Sequence, residues 1–162
     1  MASVVACGND PDPSGQAGTT PTSRSATAAT SSSPAEAADA ACAEYLDAIE
    51  SNGPLAIAGF DPDHPRADLL PAVGAHFEPA VEAAERQAQT LRQVADARSD
   101  GSPLARYVDA LEAENANSRA QLEAALVGDA DAFTATLDSV EALQTARVDA
   151  AALLGAPHCA EP

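Results

Sequence analysis

From Ser33 onward the apolar residues of this chain return in steps of three and four, and nowhere do they alternate. That spacing builds one face of a helix and excludes the two-residue period of a half-buried strand, so the chain can fold only as an all-α protein. Start and stop signals cut the pattern into segments. Ser33-Pro34-Ala35-Glu36 reads as a capping box, with Ser at the N-cap, Pro at the first helical position and Glu at N3. Ala38, Cys42, Tyr45, Leu46 and Ile49 then form one stripe until Asn52-Gly53-Pro54 stops it, which predicts a first helix over 34–51.

Residues 55–65, LAIAGFDPDHP, carry two prolines and a glycine and read as an irregular connection. Leu55, Ile57 and Phe60 are expected to fold back from it and plug one end of a core. Leu70, Val73, Phe77, Val81, Ala84, Ala88, Leu91 and Ala95 predict a long second helix running to about Arg98. Pro71 and Pro79 interrupt its period, so it either begins near Pro71 or kinks near Pro79. Ser102-Pro103 repeats the Ser-Pro start for a third helix, with Leu104, Val108, Leu111, Leu122, Ala125 and Leu126 inside and Gly128 at its end. Asp129 caps a fourth helix, whose inner face is Phe133, Leu137, Val140, Leu143, Val148, Ala151 and Leu154, with Gly155 beyond it. Four amphipathic helices joined by short turns predict an antiparallel up-and-down four-helix bundle over 34–162. With three Phe, two Tyr and no Trp in 162 residues, small side chains must do most of its packing.

Ahead of the bundle, Val4-Val5-Ala6-Cys7-Gly8 resembles a bacterial lipobox, which implies that Cys7 carries lipid. Residues 1–6 then read as the remnant of a signal peptide whose true start lies upstream, since they hold neither a basic region nor an apolar stretch of sufficient length. The alternative for Cys7 is a free thiol. Residues 7–33 are rich in Gly, Pro, Ser, Thr and Ala and cannot offset their ordering entropy by burial, so they are expected to form a disordered tether.

The two remaining cysteines bear on the topology. In an up-and-down bundle the first helix begins where the fourth ends, which brings Cys42 near Cys159 and allows a disulfide. That pairing requires an oxidising compartment; the alternative is two buried thiols in a reducing one. The cysteine in the first helix, the closing Ala152-Leu153-Leu154-Gly155-Ala156-Pro157-His158-Cys159 and the joining Gly128-Asp129 together resemble small secreted or lipid-anchored helical proteins of actinobacteria. That group is largely of unknown function. The resemblance implies export, a bundle and a disulfide, and names no ligand.

Candidate chemistry is sparse. The formal charge of −17 repels phosphate backbones and excludes nucleic acid as a partner. No Gly-x-Ser-x-Gly, glycine-rich phosphate loop, CxxC or Glu-x-x-His occurs, so no enzyme and no cofactor is expected. His76 reads as a helix-boundary residue and His158 as exposed. Asp61, Asp63 and His64 group three weak candidate metal ligands in one loop; the blander reading is a solvated turn in which Asp63 or His64 caps the second helix. The third helix has a polar centre, Leu111, Asn115, Ser118, Leu122, and counting back from the Gly128 turn sets Glu141 and Gln144 at the same level, beside Ala84, Glu85 and Ala88. Such a layer either fixes helix register or lines a ligand cavity. The sequence therefore predicts a non-enzymatic, lipid-anchored extracytoplasmic binding protein of the cell envelope. Its partner is an unknown envelope protein or a small ligand, and its membrane contact is through lipid on Cys7.

Overall fold

The computed structural model describes residues 33–94 and 99–160; Cys7, the lipobox and the tether up to Ser32 lie outside them. The described residues contain helices and turns and no strand. The helices are α1 (Pro34–Asn52), α2 (Leu70–Gln93), α3 (Pro103–Val127), α4 (Ala130–Leu137) and α5 (Val140–Leu154), followed by a 3-10 turn at Pro157–Ala160. No helix among them is long and apolar enough to cross a membrane.

Caps fix most boundaries. At α1 the Ser33 hydroxyl accepts from the Glu36 amide at 3.2 Å, and the Glu36 carboxylate accepts from the Ser33 amide at 2.8 Å. Ser102 and Asp129 cap α3 and α4 through Ala105 N at 3.0 Å and Ala132 N at 2.9 Å. Gly128 ends α3 with φ +72°, and a Cβ there would stand 2.9 Å from the Ala67 carbonyl oxygen, so both conformation and space require glycine. The second helix begins at Leu70 with Pro71 in its first turn and runs through Pro79. Neither Asp63 nor His64 caps it. Its N-cap is Leu69, without a side-chain bond, and Arg66 O accepts the amides of Leu69 and Leu70 instead.

Two boundaries differ from the sequence reading. The α2 helix stops at Gln93, not near Arg98, because Val94 turns extended and half-buries itself against the core; Arg98 lies outside the described residues. The expected single fourth helix is broken at Asp138-Ser139. Thr136 O, which an uninterrupted helix would offer to the Val140 amide, accepts Asn117 Nδ2 of α3 at 3.2 Å and the Ser139 hydroxyl at 3.1 Å. The Ser139 hydroxyl also reaches Asn117 Oδ1 at 2.9 Å. Local polar side chains thus outcompete the backbone ladder at this point.

The bundle pairs rising with falling residue numbers. Gly74 lies against Leu126, Asn115 Nδ2 donates to Ala84 O, and Arg92 bonds Glu112 along α2 and α3. Gln87 touches Cys42 while Asn52 Nδ2 donates to His76 O along α1 and α2. The core has two parts. One surrounds Cys42, Leu91, Leu104, Tyr107, Val108, Ala151 and Cys159; the other gathers Leu70, Val73, Ala124, Ala125 and Phe133. As the pattern predicts, Leu55, Ile57 and Phe60 cover the second cluster, with Phe60 edge-on to Phe133 at 6.4 Å. The candidate site is bordered by members of both clusters.

Candidate functional site

Tyr45, Leu46 and Ile49 of α1 and Leu143 and Val148 of α5 are half-buried where a closed seam would bury them. The reason is that α1 packs on α2 and on the C-terminal turn, α5 packs on α3 and the same turn, and the two share no substantial packing along their lengths. A cleft is left between them, with α3 beneath. It holds two adjoining cavities of about 200 and 250 Å³, and Tyr45, Ile49, Glu114 and Gln144 border both.

The deep cavity lies against the Cys42–Cys159 disulfide, whose Cα atoms are 5.1 Å apart. This is the pairing expected from the topology. A disulfide sulfur carries no hydrogen, so the Tyr107 hydroxyl donates to Cys42 Sγ at 3.0 Å and Gln87 Nε2 donates to it at 2.9 Å. The 3-10 turn bearing Cys159 is held independently. Asp39 accepts from the His158 amide at 2.8 Å and meets its ring Nδ1 at 2.7 Å; the hydrogen bond from the His158 ring, more than any other contact, holds the Asp39 carboxyl below the usual range. On α5, Arg147 Nε bonds Glu114 at 2.7 Å and its Nη1 donates to Cys159 O at 2.7 Å. The Arg147 guanidinium also bonds the Tyr107 hydroxyl. Burial pushes the Tyr107 phenol up to about 12 and raises Tyr45 as well, so both remain neutral donors across the physiological range.

The wider cavity includes most of the polar layer read from the sequence. Asn115, Ser118 and Gln144 line it together with Phe77, Val81 and Leu122. Asn115 is buried and spends its amide on Ala84 O at 3.0 Å, which fixes the register of α3 on α2. Glu141 does not join them. It stands exposed in the first turn of α5, just past the break that separates it from the phase of an unbroken helix, and borders a separate groove that Gln144 and Arg147 also edge. Glu85, placed at this level from the sequence, turns outward to Arg119 at 2.8 Å.

The loop candidates for a metal are separate from the cleft. Asp61, Asp63 and His64 are all exposed, and the Asp61 carboxylate closes the turn on itself through Asp63 N at 3.0 Å and His64 Nδ1 at 3.4 Å. Among the described residues no three His, Cys, Asp or Glu side chains gather closely enough to hold an ion. His76 is half-buried at the helix boundary beside Phe77, and His158 is exposed. Tyr45, Gln87, Glu114 and Arg147 were not singled out from the sequence as site residues. Gln87 and Arg147 had a visible signal: each stands on an inner stripe, Ala84-Gln87-Leu91 and Gln144-Arg147-Ala151, where a long polar side chain is out of place.

Fold and site together define a helical bundle closed at one end by a disulfide and opened along one side by an amphipathic cleft. No family model, no curated protein and no solved structure matches the chain.

Proposed function

We propose that this chain is a non-enzymatic binding domain, lipid-anchored through Cys7 at the extracytoplasmic face of a cell envelope, like the actinobacterial proteins its sequence resembles, and that it takes a small amphiphilic ligand between α1 and α5. The observation that carries this reading is the cleft itself, with two cavities sharing an apolar wall at Ile49 and polar groups at Tyr45, Glu114 and Gln144. Small-molecule sites have this character, apolar lining with a few placed polar groups. The two cysteines bordering the deep cavity are bonded to each other, and the single carboxylate on the cleft wall among the described residues is committed to Arg147. The disulfide also favours an oxidising compartment, in keeping with export.

The neutral dye Nile red tests the cleft. Its emission is expected to rise and shift to the blue on mixing with the protein. Ile49→Trp, which adds bulk at a half-buried position bordering both cavities, is expected to suppress that rise while leaving the thermal transition in place. A dye signal indifferent to Ile49→Trp, or no signal at all, counts against the reading. The anchor has its own measurement. Protein made in its native host is expected to enter the detergent phase of a two-phase extraction, and Cys7→Ala is expected to return it to the aqueous phase; unmodified Cys7 in envelope-derived protein would reject the anchor.

A further inference from the structure

Gln87 is the anomaly of the deep cavity. The residue is only 6% exposed, and its Oε1 has no hydrogen-bond partner among the described residues. Buried polar atoms are almost always paired, because an unpaired one forfeits its hydration and gains nothing in return. The orientation of the amide is set by its neighbour. Cys42 Sγ can only accept, so the N–H faces the sulfur at 2.9 Å and the oxygen is the atom left over. A second polar group on the same wall, the Tyr45 hydroxyl, stays protonated and able to donate.

We infer that the deep end of the cleft recognises the hydroxyl group of an uncharged, largely apolar molecule, with Gln87 Oε1 accepting its proton and Tyr45 donating to its oxygen. This rests on the cleft being the binding site. The chemistry of the wall selects among ligand classes. A carboxylate would set acceptor against acceptor at Gln87 and meet the Glu114 carboxylate in a protein of net charge −17. An ammonium would enter unpaired, since Glu114 is already bonded to Arg147 at 2.7 Å, or would have to displace that guanidinium. A hydroxyl asks for neither. It donates once and accepts once, which is what the two groups offer. The rest of the molecule would lie along Leu46, Ile49 and Leu111. Gln87 also borders a groove between α1 and α2 edged by Glu44 and Arg86, which Ile49 does not line, so Ile49 reports which side is occupied.

The chain has two isoleucines, Ile49 in the cleft and Ile57 on the far core cluster, so a methyl-resolved NMR titration carries its own control. The probes are 4-propylphenol and its methyl ether, 4-propylanisole, which differ in the donor alone. The phenol is expected to shift the Ile49 methyl and not Ile57, and to bind about ten-fold more tightly than the ether. Gln87→Met, which removes the acceptor at nearly constant volume, is expected to bring the two affinities together. Equal affinities in the wild type would overturn the hydroxyl assignment and leave the cleft reading standing. So would silence of Ile49 toward both probes while Nile red still binds. If Nile red also fails, the cleft reading falls with it. The matched pair is read on the unaltered protein, so the inference stays testable even if Gln87→Met does not fold.

Discussion

Replacing both members of the disulfide, in Cys42→Ala/Cys159→Ala, is expected to lower the folding stability of the bundle by about 5 kcal/mol on the chain-entropy model of loop closure. The bridge spans a sequence separation of 117, among the longest this chain permits, so it removes much freedom from the unfolded ensemble. The native state has less to lose. Asp39 still grips the His158 amide at 2.8 Å and Arg147 still holds Cys159 O at 2.7 Å, so the C-terminal turn remains docked without its covalent tie. Because ordinary domains are stable by only about 5–15 kcal/mol, the variant should be marginal at 25 °C. Urea unfolding followed by circular dichroism measures the loss, and the wild type melted with and without reductant gives an independent value. A loss under 1 kcal/mol in both would mean that the unfolded chain is already compact, and that the disulfide matters for compartment and not for stability.

How much of this was legible in the sequence depends on the range of the deciding interaction. The boundaries of α1 and α3 were readable because Ser33-Pro34 and Ser102-Pro103 form their caps within four residues, and the structure has both bonds in place. The packing of Leu55, Ile57 and Phe60 was readable because apolar residues between two prolines have nowhere else to go. The break at Asp138-Ser139 was hidden by a period that continues across it from Leu137 to Val140. What decides it is Asn117, some twenty residues earlier, competing for Thr136 O at 3.2 Å. The early end of α2 had a comparable cause, since the residues after Gln93 continue a helical pattern while Val94 is drawn to the core. Of the polar layer, Asn115, Ser118 and Gln144 share a cavity, whereas Glu141 stands past a break that the pattern concealed. The cleft could not be read at all, because it comes from two stripes that fail to meet, and each stripe taken alone looks like a buried seam.

Arg147→Ala is expected to cost about 3 kcal/mol, more than its place on an outer helix suggests. The Arg147 and Glu114 side chains retain only 11% and 22% of their exposure, so their 2.7 Å bond is shielded from the water that makes surface ion pairs nearly worthless. Deleting the guanidinium leaves the Glu114 carboxylate beside an apolar cavity without its partner. It also removes the donor to Cys159 O and the bond to the Tyr107 hydroxyl. The cost is chiefly that of stranding polar groups, and this makes a double variant decisive. Glu114→Gln/Arg147→Met fills similar volume without a charge and should recover most of the lost stability, whereas Arg147→Met with Glu114 intact should not. A thermodynamic cycle through the wild type, Glu114→Gln, Arg147→Met and the double variant measures the coupling directly by urea unfolding. If the double variant is as unstable as Arg147→Ala, the dominant role of Arg147 is to carry α5 and the Cys159 turn through its backbone bond. The ion pair would then be a bystander on the cleft wall, and its Glu114 would be open to a ligand.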